Sequence, residues 1–483
     1  MRLSIKKYAF IALASASLIL SACGGASGPS PKSGEALFTY DKDAPVSVMY
    51  DLSKDAYNIN IKVEGLKGAS SVKIGRAEAE KNQFGVKNEI LTLSGAFLKE
   101  NVGSGEKEIV VTPKEGRAIK IPALICNCII TTPQEFQDIN NNLDGTYALG
   151  NDIDFTGFGN FEPLGRYVSE TDTSNHYFHG ILEGNGYAIK NLSALYSQNP
   201  QVANPADATQ IFDTNQDVYN GTYGFKDEAH KNGDNIGVFQ IIGSSGIVRN
   251  MVFDNVHVRG RTIVGVVAGN LAGTVQNVLI KENCIAEMNT HFYDNDCNIG
   301  GAFGIVGGSG NASNCVSLTG NVRVSGLYQD YGPDYAGKIG NGWDHSAAQG
   351  NTDNWWRFVS VDRNNLTDTG KEKDSNNSET NGVYSFVGKC WGQVSNSVSY
   401  SFSYRPYQNT IDRNAFFGQT HLAVNKPTSG DTNLGQLINC NALSLDALKQ
   451  ASNYASFDTT IWNITDGSFP SLVAPQISVE TVQ

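Results

Sequence analysis

Asn235 to Ile285 carries one short pattern twice in tandem. The first copy reads Ile236-Gly237-Val238-Phe239, then Gly246-Ile247-Val248-Arg249-Asn250, then Met251-Val252-Phe253. The second reads Val264-Gly265-Val266-Val267, then Gly273-Thr274-Val275-Gln276-Asn277, then Val278-Leu279-Ile280. Asn250 and Asn277 are 27 residues apart. A fixed period marks stacked supersecondary units rather than one closed core. The apolar runs are short, lack helical spacing and are separated by Gly and Asn, so they read as strands broken by turns.

A circuit of three short strands and three turns, repeated along an axis, is a parallel β-helix with rungs about 4.8 Å apart. Gly reaches positive φ without penalty, and Asn tolerates the left-handed region. An Asn at one register in successive circuits stacks its amides into a ladder. Asn191, Asn250, Asn277, Asn314, Asn396 and Asn439 are assigned to that structural ladder.

Working outward, the chain has 483 residues, 51 of them Gly, with 17% charged residues and a formal net charge of −12. That profile fits a turn-rich β protein. The acidic balance, with no Lys/Arg run after residue 7, argues against a nucleic-acid partner. Residues 1–22 read as an export signal: Arg2, Lys6 and Lys7 supply the positive end, and Tyr8 to Leu20 the apolar stretch. Leu20-Ser21-Ala22-Cys23 resembles the lipobox of bacterial lipoproteins, which implies lipidation of Cys23 and attachment to a membrane without spanning it. Gly24 is not the aspartate that resembles an inner-membrane retention signal, so the expected place is the outer membrane or cell surface.

Residues 23–39 are rich in Gly, Ser and Pro and form a flexible tether. From 40 to 127 the texture changes. Tyr57 to Val63, Ile90 to Leu93 and Ile109 to Thr112 alternate in the manner of a β-sandwich of immunoglobulin size. Asn82 to Leu93 with Phe97-Leu98 weakly resembles the Ig-like X-type modules of bacterial surface carbohydrate-active proteins, which implies a spacer. Thr132, Pro133 and Glu135 form a capping box that opens a short helix, read as a lid on the first rung.

Gly145-Thr146-Tyr147-Ala148-Leu149-Gly150-Asn151-Asp152-Ile153-Asp154-Phe155 and Phe178 through Leu192 then begin the repeats. With the tandem pattern already quoted, they resemble the GLUG-repeat region of bacterial surface proteins and adhesins. The resemblance implies an all-β chain, with a right-handed parallel β-helix over 129–483 behind the Ig-like sandwich. It carries no activity with it, since function lives in sites grafted on folds.

Two insertions, 196–234 and 326–381, interrupt the repeats, as does the shorter Glu287 to Asp296. All three leave the circuit at the same corner by this reading. Insertions at equivalent places in a solenoid collect on one side, often the binding side. The second holds Tyr328, Tyr331, Tyr335, Trp343, Trp355 and Trp356, and the first holds Tyr219 and Tyr223. Flat aromatic faces beside polar groups suit sugar rings or a protein partner. The same aromatics also serve as satellite cores that hold long loops together.

Seven cysteines follow Cys23, an odd number that cannot pair completely. Cys284 and Cys297 bracket a short loop and are the disulfide candidates. Cys126-Asn127-Cys128 is too tightly spaced for the usual zinc motifs, and its two thiols are expected on one face of a strand. Asp152 and Asp154 also share a face, and two carboxylates across a cleft hydrolyse glycosides. Both fall within the repeat pattern and read as structural. His176 and His179 have no third ligand nearby, and neither a metal nor a cofactor motif is present in the sequence. The reading is therefore a lipid-anchored surface protein that binds glycan or protein through loops. An exported polysaccharide lyase or glycosidase and a structural stalk are the alternatives.

Overall fold

The computed structural model describes residues 36–42, 47–166, 176–195, 235–260, 263–290, 298–326, 382–400, 436–473 and 480–481. The protein is all-β, with only short helical turns between its strands.

Residues up to Cys126, joined by Glu480–Thr481, form two five-stranded sheets. One runs, in spatial order, Glu480–Thr481, Ala36–Tyr40, Ile59–Val63, Ile90–Leu93 and Phe84–Lys87. The other runs Val48–Asp51, Ile119–Cys126, Gly105–Pro113, Ala69–Ile74 and Ala77–Glu78. Alternation decides the buried face: Ile59, Ile61 and Val63 point inward while Lys62 is exposed. Tyr50, Ile61, Val72, Leu91, Ile109 and Ile121 meet in one apolar cluster contributed by both sheets. The helix Gly95–Asn101 begins at a glycine because any Cβ there would run into the backbone of Tyr57.

From Cys128 the strands pair in parallel, and the chain visits five rows in turn. The first row stacks Cys128–Ile130, Thr146–Leu149, Ile181–Glu183, the leading halves of Ile247–Asp254 and Thr274–Ile280, then Asn311–Ser313, Gln393–Ser395 and Gln436–Ile438. The second takes Ile153–Asp154, Ala188–Lys190, the trailing halves of those long strands, Val316–Ser317, Val398–Tyr400 and Asn441–Leu443. The third stacks Ser193–Leu195, His257–Gly260, Ile285–Thr290 and Asn321–Gly326. The fourth stacks Asn235–Ile236, Ile263–Gly265, Asn298–Gly300 and Gly382–Tyr384. Phe239–Ile242, Ala268–Leu271, Phe303–Val306 and Val387–Cys390 make the fifth. Each full circuit thus has five short runs where three were expected, because Gly and Asn bend the chain more often than a three-sided reading allows.

The rows enclose a continuous apolar column. Leu182, Val248, Val275, Ala312 and Val394 occupy one register of the first row and are wholly buried. Leu437 continues that register at the last described rung, where it is 37% exposed. At the other end Phe136 of the helix Pro133–Gln137 is buried against Phe155 and Phe161, at ring separations of 5.9 and 5.7 Å. The Thr132–Glu135 capping box fixes that helix.

The asparagines fall into two corners. Asn250, Asn277, Asn314, Asn396 and Asn439 lie between the first and second rows, all at positive φ. Asn277 Nδ2 donates to Asn250 Oδ1 at 2.8 Å, and Asn439 Nδ2 to Asn396 Oδ1 at 3.2 Å. Asn191 belongs elsewhere. It lies between the second and third rows, where Asn255 Nδ2 donates to its Oδ1 at 2.7 Å. Equal residue type misassigned it, since Lys190 and Asp254 are the residues in register just before.

Beyond Leu443 the chain folds back along the outer face of the second row. Leu448, Tyr454, Phe457 and Trp462 cover Ala188, Val252, Leu279, Val316 and Val398. Trp462 Nε1 also donates to Asn277 Oδ1 at 3.4 Å. This strap spans most of the described rungs.

Candidate functional site

The third and fourth rows locate the exits of the insertions. Leu195 pairs with Arg259, Arg259 with Glu287, and Glu287 with Arg323, so these residues occupy one level across four rungs. The chain leaves after Leu195 and after Gly326, then rejoins at Asn235 and Gly382, which share the register of Ile263 and Asn298. Residues 196–234, 291–297 and 327–381 therefore connect the same two rows. The aromatic candidates Tyr219, Tyr223, Tyr328, Tyr331, Tyr335, Trp343, Trp355 and Trp356 lie outside the described residues.

At this edge stands an ion cluster that the sequence reading missed. Val258 and Ala286 turn into the core, so strand alternation turns Arg259 and Glu287 outward. Both are nevertheless buried, at 0% and 1% exposure. Arg259 Nη2 and His257 Nε2 each lie 3.1 Å from Glu287 Oε2. Burial alone would raise the Glu287 carboxyl. The His257 hydrogen bond and the Arg259 charge outweigh it and hold the group down at about 2. A carboxyl so acidic has no proton to give near neutrality, which fits holding a framework in place rather than general-acid chemistry. The available signal was His257-Val258-Arg259 set against Ala286-Glu287 at one place in consecutive repeats.

The paired aspartates are occupied by the turns. Asp152 accepts from Ala188 N at 2.9 Å and pairs with Lys190 at 2.5 Å. Asp154 accepts from Asn191 Nδ2, Thr156 N and Thr156 Oγ1 at 2.8, 2.9 and 2.7 Å. Those bonds, the Asn191 amide foremost, draw its carboxyl down to about 2. His176 joins Arg166 through the backbone, and His179 Nδ1 lies 3.2 Å from Ser245 Oγ. Among the described residues no group of three or more His, Cys, Asp or Glu side chains converges as metal ligands would.

The thiols need two corrections. Cys284 is free and buried, its Sγ facing Phe253 O at 3.3 Å, so it is not in the disulfide expected with Cys297. Its side chain is part of the apolar core of the stack; Cys297 itself lies outside the described residues. Cys126 and Cys128 do not share a face, because the strand breaks at Asn127. Cys126 packs with Met49, Leu124 and Ala148, and Cys128 against the core of the stack. Cys23 lies outside the described residues.

No family model matches the chain. A stretch of 154 residues is 29% identical to Halomucin of Haloquadratum walsbyi, covering 30% of this chain and 1% of that protein. The chain thus matches a very small part of that relative.

Proposed function

We propose that this is a lipid-anchored bacterial surface protein that binds glycan or protein through loops on one side of a right-handed parallel β-helix. In this reading residues 1–22 are removed, Cys23 carries the lipid, and residues 23–39 are the tether. An Ig-like β-sandwich over 40–127 sets the stack of 129–483 away from the membrane. Two sheets around one core support the sandwich. Parallel rows visited in constant order support the helix, and the strong general bias of parallel crossovers supports the right hand. The local likeness to Halomucin fits a surface-protein reading.

The observation that carries the binding reading is the shared column of the third and fourth rows. Two long insertions rich in aromatic residues begin and end on strands held in register. Their ligand contacts are assigned to Trp355 and Trp356 with the neighbouring tyrosines. A glycan and protein array probed with the whole exported chain tests this. Saturable binding without turnover is expected, and it should weaken in Trp355→Ala and Trp356→Ala. Unchanged binding in both variants, or shortening of the glycan, would overturn it.

A further inference from the structure

The outer face of the first row changes character along the stack. Over its first rungs Ile129, Ala148 and Ile181 are apolar, and Met49, Leu124 and Cys126 of the N-terminal sheets pack on them. Next comes a charged clamp. Arg249 donates to Glu183 Oε2 and to Glu106 Oε1, both at 2.7 Å, joining stack to sheet. Past that clamp the outward positions are Thr274 and Gln276, Asn311 and Ser313, Gln393 and Ser395. Every one is polar and none is charged, in a chain whose formal net charge is −12.

These six side chains are partly exposed, and among the described residues none makes a hydrogen bond. Asn311 Oδ1 is buried and has no hydrogen-bond partner among the described residues. The contrast with the neighbouring corner is direct: there Asp154, Asn191, Asp254 and Asn283 are all bonded to one another or to Thr156 and Asn255. Unused amide and hydroxyl groups in a flat array are a complementary surface for a molecule that carries both donors and acceptors. Gln436 and Ile438 end the array, Ile438 being 44% exposed, so it closes on an apolar contact.

We propose that this face is a second binding surface, for a linear uncharged polysaccharide lying along the stack axis. Three features select that ligand. The lack of charge offers a polyelectrolyte nothing to pair with, so ionic polymers gain no attraction here. Hydroxyl-bearing sugars match Gln, Asn, Ser and Thr in both donor and acceptor roles. A pair of uncharged polar side chains returns at each of these three rungs, about 4.8 Å apart, so a repeating chain meets hydroxyl and amide partners at regular intervals over about 10 Å. This surface is independent of the insertions and of the reading that assigns binding to them.

The test is retention of the whole exported chain on insoluble cellulose, chitin and starch, with soluble polygalacturonate as competitor. Wild type should be held by at least one of the three, without competition. The double variant Q276E/Q393E should lose tenfold or more in affinity while its circular dichroism and melting temperature stay unchanged. Three results would overturn the proposal: no retention on any of the three solids, retention unaffected by Q276E/Q393E, or elution by polygalacturonate. The W355A/W356A pair separates the two readings. If it loses all binding and Q276E/Q393E none, the flat face fails and the loops stand; the reverse sinks the loops alone.

Discussion

Glu287→Gln removes one charge from a buried cluster and nearly nothing from its shape. Glu287 sits between His257 and Arg259 with both contacts at 3.1 Å. A carboxyl held at about 2 in place of 4.5 corresponds to about 3 kcal/mol in favour of the ionised, folded form. The sign follows from the depressed value: the stabilisation is complete above the unfolded value near 4.5 and is lost as pH falls toward 2. Urea unfolding at pH 7.5 should therefore place the variant about 3 kcal/mol below wild type. At pH 3 that gap should shrink to about half, because the carboxyl of the unfolded chain is then largely protonated while the folded one is still mostly ionised. A gap below about 1 kcal/mol at pH 7.5, or one that does not change with pH, would refute the reasoning.

Trp462→Ala should destabilise by about 3–5 kcal/mol, the range for emptying a buried aromatic site, and the uncovered Val252 and Leu279 should raise ANS fluorescence. Asn277→Ala should cost about 1–2 kcal/mol because φ is +53° there. Asn277→Gly should recover the backbone part but not the amide bond to Asn250, and thermal melts of the two variants read the difference. Burial pushes the Cys284 thiol up to about 12, so iodoacetamide at pH 8 should label it only after unfolding. Mass spectrometry with and without denaturant checks this, and rapid labelling of the native chain would contradict it.

Strand content and the repeat were legible because the apolar runs, Gly and Asn recur at a fixed interval, and the parallel registers follow that interval through Ile247–Asp254 and Thr274–Ile280. Which corner an asparagine occupies was not. Asn191 and Asn250 have the same residue type and the same positive φ, and only strand pairing separates them. The buried ion cluster escaped for a related reason: His257, Arg259 and Glu287 are ordinary surface residues by type, and only strand pairing brings them together. The strap was equally hidden. Trp462 reads as the close of a repeat array, yet its partners Val252 and Leu279 lie about two hundred residues earlier, a separation no local pattern encodes. The uncharged face was visible letter by letter as Thr, Gln, Asn and Ser, but only register shows that those letters adjoin.

Solenoids ordinarily lengthen or shorten by copying or dropping a unit, since each unit touches only its neighbours. Here the chain beyond Leu443 binds Ala188, Val252, Leu279, Val316 and Val398 at once, and so measures their spacing. Copying the 27-residue unit that separates Asn250 from Asn277 would shift every later contact by about 4.8 Å against a ruler of fixed length. The number of rungs is thereby locked, and unit duplication, the usual route to a longer relative, is closed to this chain unless its final segment grows in step.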